Sequence, residues 1–291
     1  MASTTTGNLD KNSQVLLLGT SGQLGQMLRF FWDGPPDLAL HSRQAHSDFI
    51  QFDLILEPEK AVAAMAEKRA VICLPGVTPA RANSSGEVYS RNTDLALFAI
   101  KCAAKAGVHR VFLASSAAVY GAAAGMQDET STPKPTAPYG QAKLEMEQAA
   151  FALSDELGQP VTALRIGNVA GADAILGGWR TGMQIDQVEN AHTPRRSYIG
   201  PQSLTRVIET LCKTADLPNI LNVTSPGVIE MGALLDAAGL PWDPRPAGEN
   251  TIAEVALSTK RLERYVAFAP EDGTAAGMVA EWRRYHAQEQ T

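Results

Sequence analysis

The sequence predicts a doubly wound parallel α/β sheet with a small, mostly helical C-terminal lobe. Three observations predict it: strand-sized apolar runs alternate with helix-length segments through the first two-thirds, those runs lack polar alternation, and a glycine trio follows the first of them. Strands alternating with helices make βαβ units and a parallel sheet. Runs such as Val71-Ile72-Cys73-Leu74 suit strands covered on both faces.

In chain order, strands are expected at Val15–Leu18, Leu38–His41, Ile50–Asp53, Val71–Leu74, Val111–Ser115, Val161–Arg165 and Ile220–Val223. Helices are expected at Gly22–Phe31, Glu57–Lys68, Val88–Ala106, Tyr139–Leu157, Ser203–Lys213 and Met231–Ala238. After Asn168 the pattern loosens. Ala172–Pro194 contains glycines and has little strand signal, and Gly227–Thr291 reads as mostly helical, punctuated by Pro241, Pro244 and Pro246. The expected organisation is a dinucleotide-binding domain over residues 1–171, with a returning helix and strand at about 200–226. Residues 172–199 and 227–291 form the expected substrate-binding lobe.

Composition removes several functions. Apolar residues make up 45% of 291 and the net charge is -6, so a large core is available and no basic footprint for nucleic acid or an anionic membrane is present. No apolar run approaches the roughly 20 residues of a membrane span, and the polar start, Met1–Gln14, lacks the pattern of a secretory signal. The 3 scattered cysteines argue against a disulfide framework, and the 5 histidines lack metal-ligand spacing, so no metal site is expected. A reduced, cytoplasmic setting follows.

Gly19-Thr20-Ser21-Gly22-Gln23-Leu24-Gly25 follows the first strand and opens a helix. The first glycine permits a tight turn, the second lets backbone approach a pyrophosphate, and the third lets helix pack on strand. The phosphate then lies at a helix N-terminus, where N–H groups and the dipole favour negative charge. At the tip of the second strand, a carboxylate would bind the adenosine ribose 2′-hydroxyl. The sequence has Ser42 and Arg43 there instead, and no acid before Asp48. Arg43 suits a 2′-phosphate, with Ser42 adding a hydrogen bond. NADP is the expected cofactor and NAD the alternative.

Tyr139 and Lys143 stand at i,i+4 on one helix face. A phenol near pKa 10 is a poor base, and an ammonium one turn away favours its phenolate. Leu113–Gly121 ends a strand at the edge where such sheets bind ligands, and Ser116 there suits a donor to a substrate oxygen.

On these residues, together with Phe52-Asp53-Leu54, Arg91-Asn92-Thr93, Pro138–Lys143, Leu164–Gly171, Arg196-Ser197-Tyr198-Ile199 and Ser258–Leu262, the chain resembles the extended short-chain dehydrogenase/reductases of the NAD-dependent epimerase/dehydratase type. The resemblance implies a Rossmann fold and a small-molecule substrate, with nucleotide sugars as its class. It makes Ser116 the catalytic hydroxyl, Tyr139 the acid/base, and Lys143 the residue that binds the nicotinamide ribose and tunes the tyrosine. Asp53 and Leu54 fall beside the adenine, and Leu74 keeps a backbone contact to the cofactor although Pro75 has lost its donor. Asn168 falls near the sugar and Arg196 on a diphosphate. The helices Val88–Ala106 and Tyr139–Leu157 would pair two subunits in a homodimer. Ala117 and Ala118 stand where a dehydratase usually adds an acid, so epimerisation or reduction is expected over dehydration. A keto reductase resembling dTDP-4-dehydrorhamnose reductase and a non-catalytic dinucleotide sensor remain the alternatives.

Overall fold

The computed structural model describes residues 14–34, 38–249 and 251–289. The expectation for the polar N-terminal stretch therefore lies largely outside the described residues. The elements run β1 (Val15–Leu18), α1 (Gln23–Phe31), β2 (Leu38–Ser42), β3 (Ile50–Gln51), α2 (Pro58–Met65), β4 (Ala70–Cys73), α3 (Pro79–Ser85) and α4 (Arg91–Ala106). There follow β5 (Arg110–Ser116), β6 (Met126–Gln127), α5 (Pro138–Leu157), β7 (Val161–Ile166), β8 (Asn168–Val169), β9 (Gln184–Gln187), β10 (Arg195–Arg196), β11 (Tyr198–Ile199) and α6 (Pro201–Lys213). The chain ends with β12 (Ile220–Val223), β13 (Ile229–Glu230), α7 (Met231–Ala238), β14 (Asp243–Pro246), β15 (Glu254–Leu257) and α8 (Ala275–Glu289).

The main sheet has seven strands in the order β12-β7-β5-β4-β1-β2-β3. The pairs β1–β2, β2–β3, β1–β4, β4–β5 and β7–β12 are parallel, with Leu16 opposite Ala39 on β2 and Val71 on β4, and Val71 opposite Val111 on β5. The expected doubly wound sheet is therefore present. The chain divides into two compact units, Met1–Ala114 with Met146–Thr162, and Ser115–Glu145 with Ala163–Thr291.

In the first unit, Leu16, Leu18, Val71, Cys73, Val111 and Leu113 share one sheet face and pack with Ala61 and Met65 of α2, Leu95 and Ile100 of α4, and Met146 and Ala150 of α5. The alternate residues Leu17, Ile72 and Phe112 are just as buried, so both faces are dry. Cys73 is a buried core residue without a disulfide.

The second unit holds a core of its own, with Leu176, Met183, Ile185, Tyr198, Leu234, Leu235, Met278 and Val279 packed together. The expected helical tail is present as α7 and α8, and the structure adds short strands that the sequence pattern did not mark. Residues 227–291 contain β13, β14 and β15 beside α7 and α8, and 172–194 contains β9. β14 is Asp-Pro-Arg-Pro, exposed throughout, and pairs with β9 in a two-stranded ribbon, where proline has no inner ladder to break. The helix α3 stands where none was expected. Among the described residues no helix is long and apolar enough to cross a membrane.

Candidate active site

The glycine loop is built as its spacing implies. Gly19 has φ +82° and lies against Pro75, whose ring a Cβ would approach to 3.0 Å. A Cβ on Gly25 would meet Thr20 Cα at 2.7 Å, so only glycine lets α1 come this close to the turn. Gly22 begins α1 with no side-chain cap, and its amide donates to the Gly19 carbonyl at 3.1 Å. Uncapped first-turn amides and the helix dipole favour an anion there. Ser21 and Gln23 are exposed on this loop, and Leu24 is half-buried.

His41 holds the loop to β2, a role its position in the sequence did not mark. Its Nδ1 accepts from the Gly19 amide at 3.3 Å, its Nε2 lies 2.9 Å from the Phe52 carbonyl, and the ring packs on Phe52. The tautomer with hydrogen on Nε2 satisfies both contacts. Burial, against the pull of the Phe52 carbonyl and Asp53, pushes its pKa below the ordinary histidine value.

Next to His41, Ser42 is buried and accepts from the Gln44 amide at 3.1 Å, while Arg43 is exposed. A cavity of about 490 Å³ is lined by Ser21, Ser42, Arg43, Gln44, Asp53 and Arg81. Burial opposes ionisation of Asp53, but the Leu56 and Ile55 amides on its Oδ1, with Arg43 and Arg91 nearby, outweigh it and hold the carboxyl below its usual value. Leu54 is in the core, and the Leu74 amide donates to the Leu18 carbonyl at 3.3 Å.

The second unit carries the other constellation. Ser116 ends β5 in extended backbone and starts a tight turn, Ala117–Tyr120, its Oγ accepting from the Ala118 amide at 3.2 Å. That contact occupies a lone pair and leaves the hydroxyl proton for an acceptor. Helix α5 meets this turn directly. A Cβ at Gly140 would overlap the Ala118 carbonyl oxygen, so the glycine after Tyr139 brings the helix start onto the Ser116 turn. Lys143 is 5% exposed and its Nζ lies 5.8 Å from the Tyr139 ring centroid. The structure thus brings the three predicted residues to adjoining stretches of backbone.

The turn is anchored beneath. Tyr120 is fully buried, and its hydroxyl contacts Asn222 Oδ1 at 2.8 Å and accepts from Arg165 Nη1 at 2.9 Å. Asn222 Oδ1 thus accepts from the Tyr120 hydroxyl, and its backbone amide donates to Glu129 at 2.9 Å, linking β12 to the segment after β6.

Asn168 and Arg196 lie elsewhere in the second unit. The Asn168 side chain hydrogen-bonds Tyr198, whose hydroxyl donates to the half-buried Asp173 at 2.9 Å. Arg196 donates to the Arg195 and Ile252 carbonyls at 2.7 and 2.9 Å. It also lines a cavity of about 660 Å³ with Ile185, Asp186, Met231, Arg245 and Thr251 among others. Arg245 was not among the predicted residues. It sits in β14, within the tail read as mostly helical and punctuated by prolines.

A model of the NAD dependent epimerase/dehydratase family matches residues 15–199. No curated protein sequence matches the chain. Among solved structures it is similar to MoeE5 in complex with UDP-glucose and NAD, at 21% identity over 96% of this chain and 100% of that one, with a TM-score of 0.75. It is similar to the UDP-glucose-4-epimerase of Stenotrophomonas maltophila with bound NAD and formylated UDP-arabinopyranose, at 18% identity over 96% and 99% of the two chains and a TM-score of 0.76. DesIV, the dTDP-glucose 4,6-dehydratase of Streptomyces venezuelae with NAD and TYD bound, is 18% identical over 94% and 98%, with a TM-score of 0.73. At such identities the likeness establishes a shared fold.

Proposed function

The chain belongs to the NAD dependent epimerase/dehydratase family, and from that premise we propose that it is an NADP-dependent oxidoreductase or epimerase acting on a hydroxyl- or carbonyl-bearing carbon of a nucleotide sugar. The observation that carries the proposal is the meeting of α5 with the Ser116 turn at Gly140, with Lys143 buried one helical turn from Tyr139.

The residues fit a dinucleotide. A Cβ would fill the cradle at Gly25, and α1 begins uncapped beside it. When bound, the dinucleotide supplies the hydride acceptor or donor at its nicotinamide. Gly19, Ser21, Gly22, Gln23, Leu24 and Gly25 would hold its pyrophosphate, Asp53, Leu54 and Leu74 its adenosine side, and Lys143 its nicotinamide ribose. Ser42 and Arg43 in their cavity support a 2′-phosphate, hence NADP. Tyr139 removes or returns the substrate hydroxyl proton, and Ser116 donates a hydrogen bond to the same oxygen. The Lys143 ammonium near the ring favours the phenolate, which assists that proton transfer.

The nucleotide-sugar class is supported by the ligands named for the similar structures and by the 660 Å³ cavity. Its lining falls wholly within 172–199 and 227–291, the expected substrate lobe. Arg196 and Arg245 there suit a diphosphate. Ala117 and Ala118 favour epimerisation or reduction over dehydration. The test is turnover of UDP- and dTDP-sugars, and of their keto forms, with NADP or NADPH. Conversion that is lost in Tyr139→Phe supports the proposal, and equal conversion by that variant would sink it. A sensor would show no hydride exchange with any of them.

A further inference from the structure

We propose that Arg81 is a second arm of the 2′-phosphate site and sets the enzyme's preference for a phosphorylated dinucleotide. The inference rests on the NADP reading of Arg43 and extends it to a helix that carries no recognisable motif. Arg81 lies in α3, far along the chain from β2, yet the same cavity is lined by Arg81, Arg43, Ser42, Ser21 and Asp53. Two arginines and two serines line a space of about 490 Å³ with Gln44 and one carboxylate, whose Oδ1 is already engaged by two backbone amides. That donor set matches a phosphate dianion and exceeds what an uncharged ribose needs.

Arg81 is held in the meantime by Glu87, 2.7 Å away, with the two side chains 49% and 29% exposed. An ion pair this exposed contributes little, so a phosphate with greater charge can take the guanidinium over at small cost. Thr78 caps the helix by accepting from the Arg81 amide at 3.4 Å, and Pro79 opens it. These fix the backbone of Arg81 independently of its side chain.

The experiment titrates the full chain with NADPH and with NADH, following binding by fluorescence, for the native protein, R43A, R81A, R81K and E87Q. Native protein should prefer NADPH. R81A should weaken NADPH by about 10-fold and leave NADH within about twofold, as expected for loss of a charge-assisted contact to one group. R81K should recover part of the loss, and E87Q should bind NADPH at least as well as the native chain. Equal weakening of both dinucleotides in R81A would make Arg81 an adenine platform or a structural residue and overturn the proposal. So would an E87Q loss matching that of R81A, which would place the effect in the ion pair. If native protein prefers NADPH and R81A keeps that preference, only the role of Arg81 falls. If native protein prefers NADH, the NADP reading itself falls.

Discussion

Tyr120 and Tyr139 carry the same phenol in opposite surroundings. Tyr120 is fully buried, its hydroxyl is fixed by Asn222 and Arg165, and burial, against the Arg165 charge, raises its pKa. Tyr139 is half-buried with the Lys143 ammonium near its ring. Tyr139→Phe should therefore lower kcat by about 100-fold or more with dinucleotide affinity nearly unchanged, measured by turnover and by NADPH titration. Lys143→Met should move the alkaline-favouring limb of the pH–rate profile to higher pH, because the phenolate loses its counter-charge. His41 gives a prediction of its own. Its folded pKa lies below the unfolded value, so the unfolded chain takes up the proton first as pH falls. Its contribution to stability is present above about pH 6.5 and is lost as pH falls through the folded value. Thermal midpoints measured from about pH 7.5 to about pH 5 should fall less steeply in His41→Gln than in the native protein.

At the scale of elements, the contact between α5 and the Ser116 turn is a main-chain one, so it is sensitive to a single methyl group. Gly140→Ala should cost about 1–3 kcal/mol by overpacking against the Ala118 carbonyl, and should also lower kcat, since the helix start must shift. Gln141→Ala, an exposed change in the same turn, should stay within about 0.5 kcal/mol in chemical denaturation. Legibility in the sequence followed the same physics. Strands such as β1, β4 and β12 were readable because burial on both faces demands unbroken apolar runs. β9 and β14 were not, since Gln-Ile-Asp-Gln and Asp-Pro-Arg-Pro make a ribbon with no such demand. α3 has no apolar face, yet Thr78, Pro79 and Gly86 mark its start and stop, and those signals were available to find it.

At the scale of the whole molecule, the seven-stranded order and the family membership set the frame, and each unit holds a cavity of its own. The glycine loop and the Tyr139–Lys143 pair were legible because their spacing along the chain is itself the local geometry, and Ser116 was legible as the end of an apolar strand. Arg81 and Arg245 were not, because only tertiary folding brings Arg81 into the cavity of Arg43 and Arg245 into that of Arg196. Pairing of two copies through α4 and α5, which the family resemblance implies, predicts twice the chain mass in sedimentation. The central claim is that Tyr139 moves the proton while the dinucleotide carries the hydride. The most direct measurement is transfer of deuterium from the nicotinamide of labelled NADPH to a keto nucleotide sugar, in native protein and in Tyr139→Phe. The account predicts label on the sugar carbon with native protein, and loss of that transfer in a variant that still binds NADPH. Transfer at the native rate in Tyr139→Phe would contradict it.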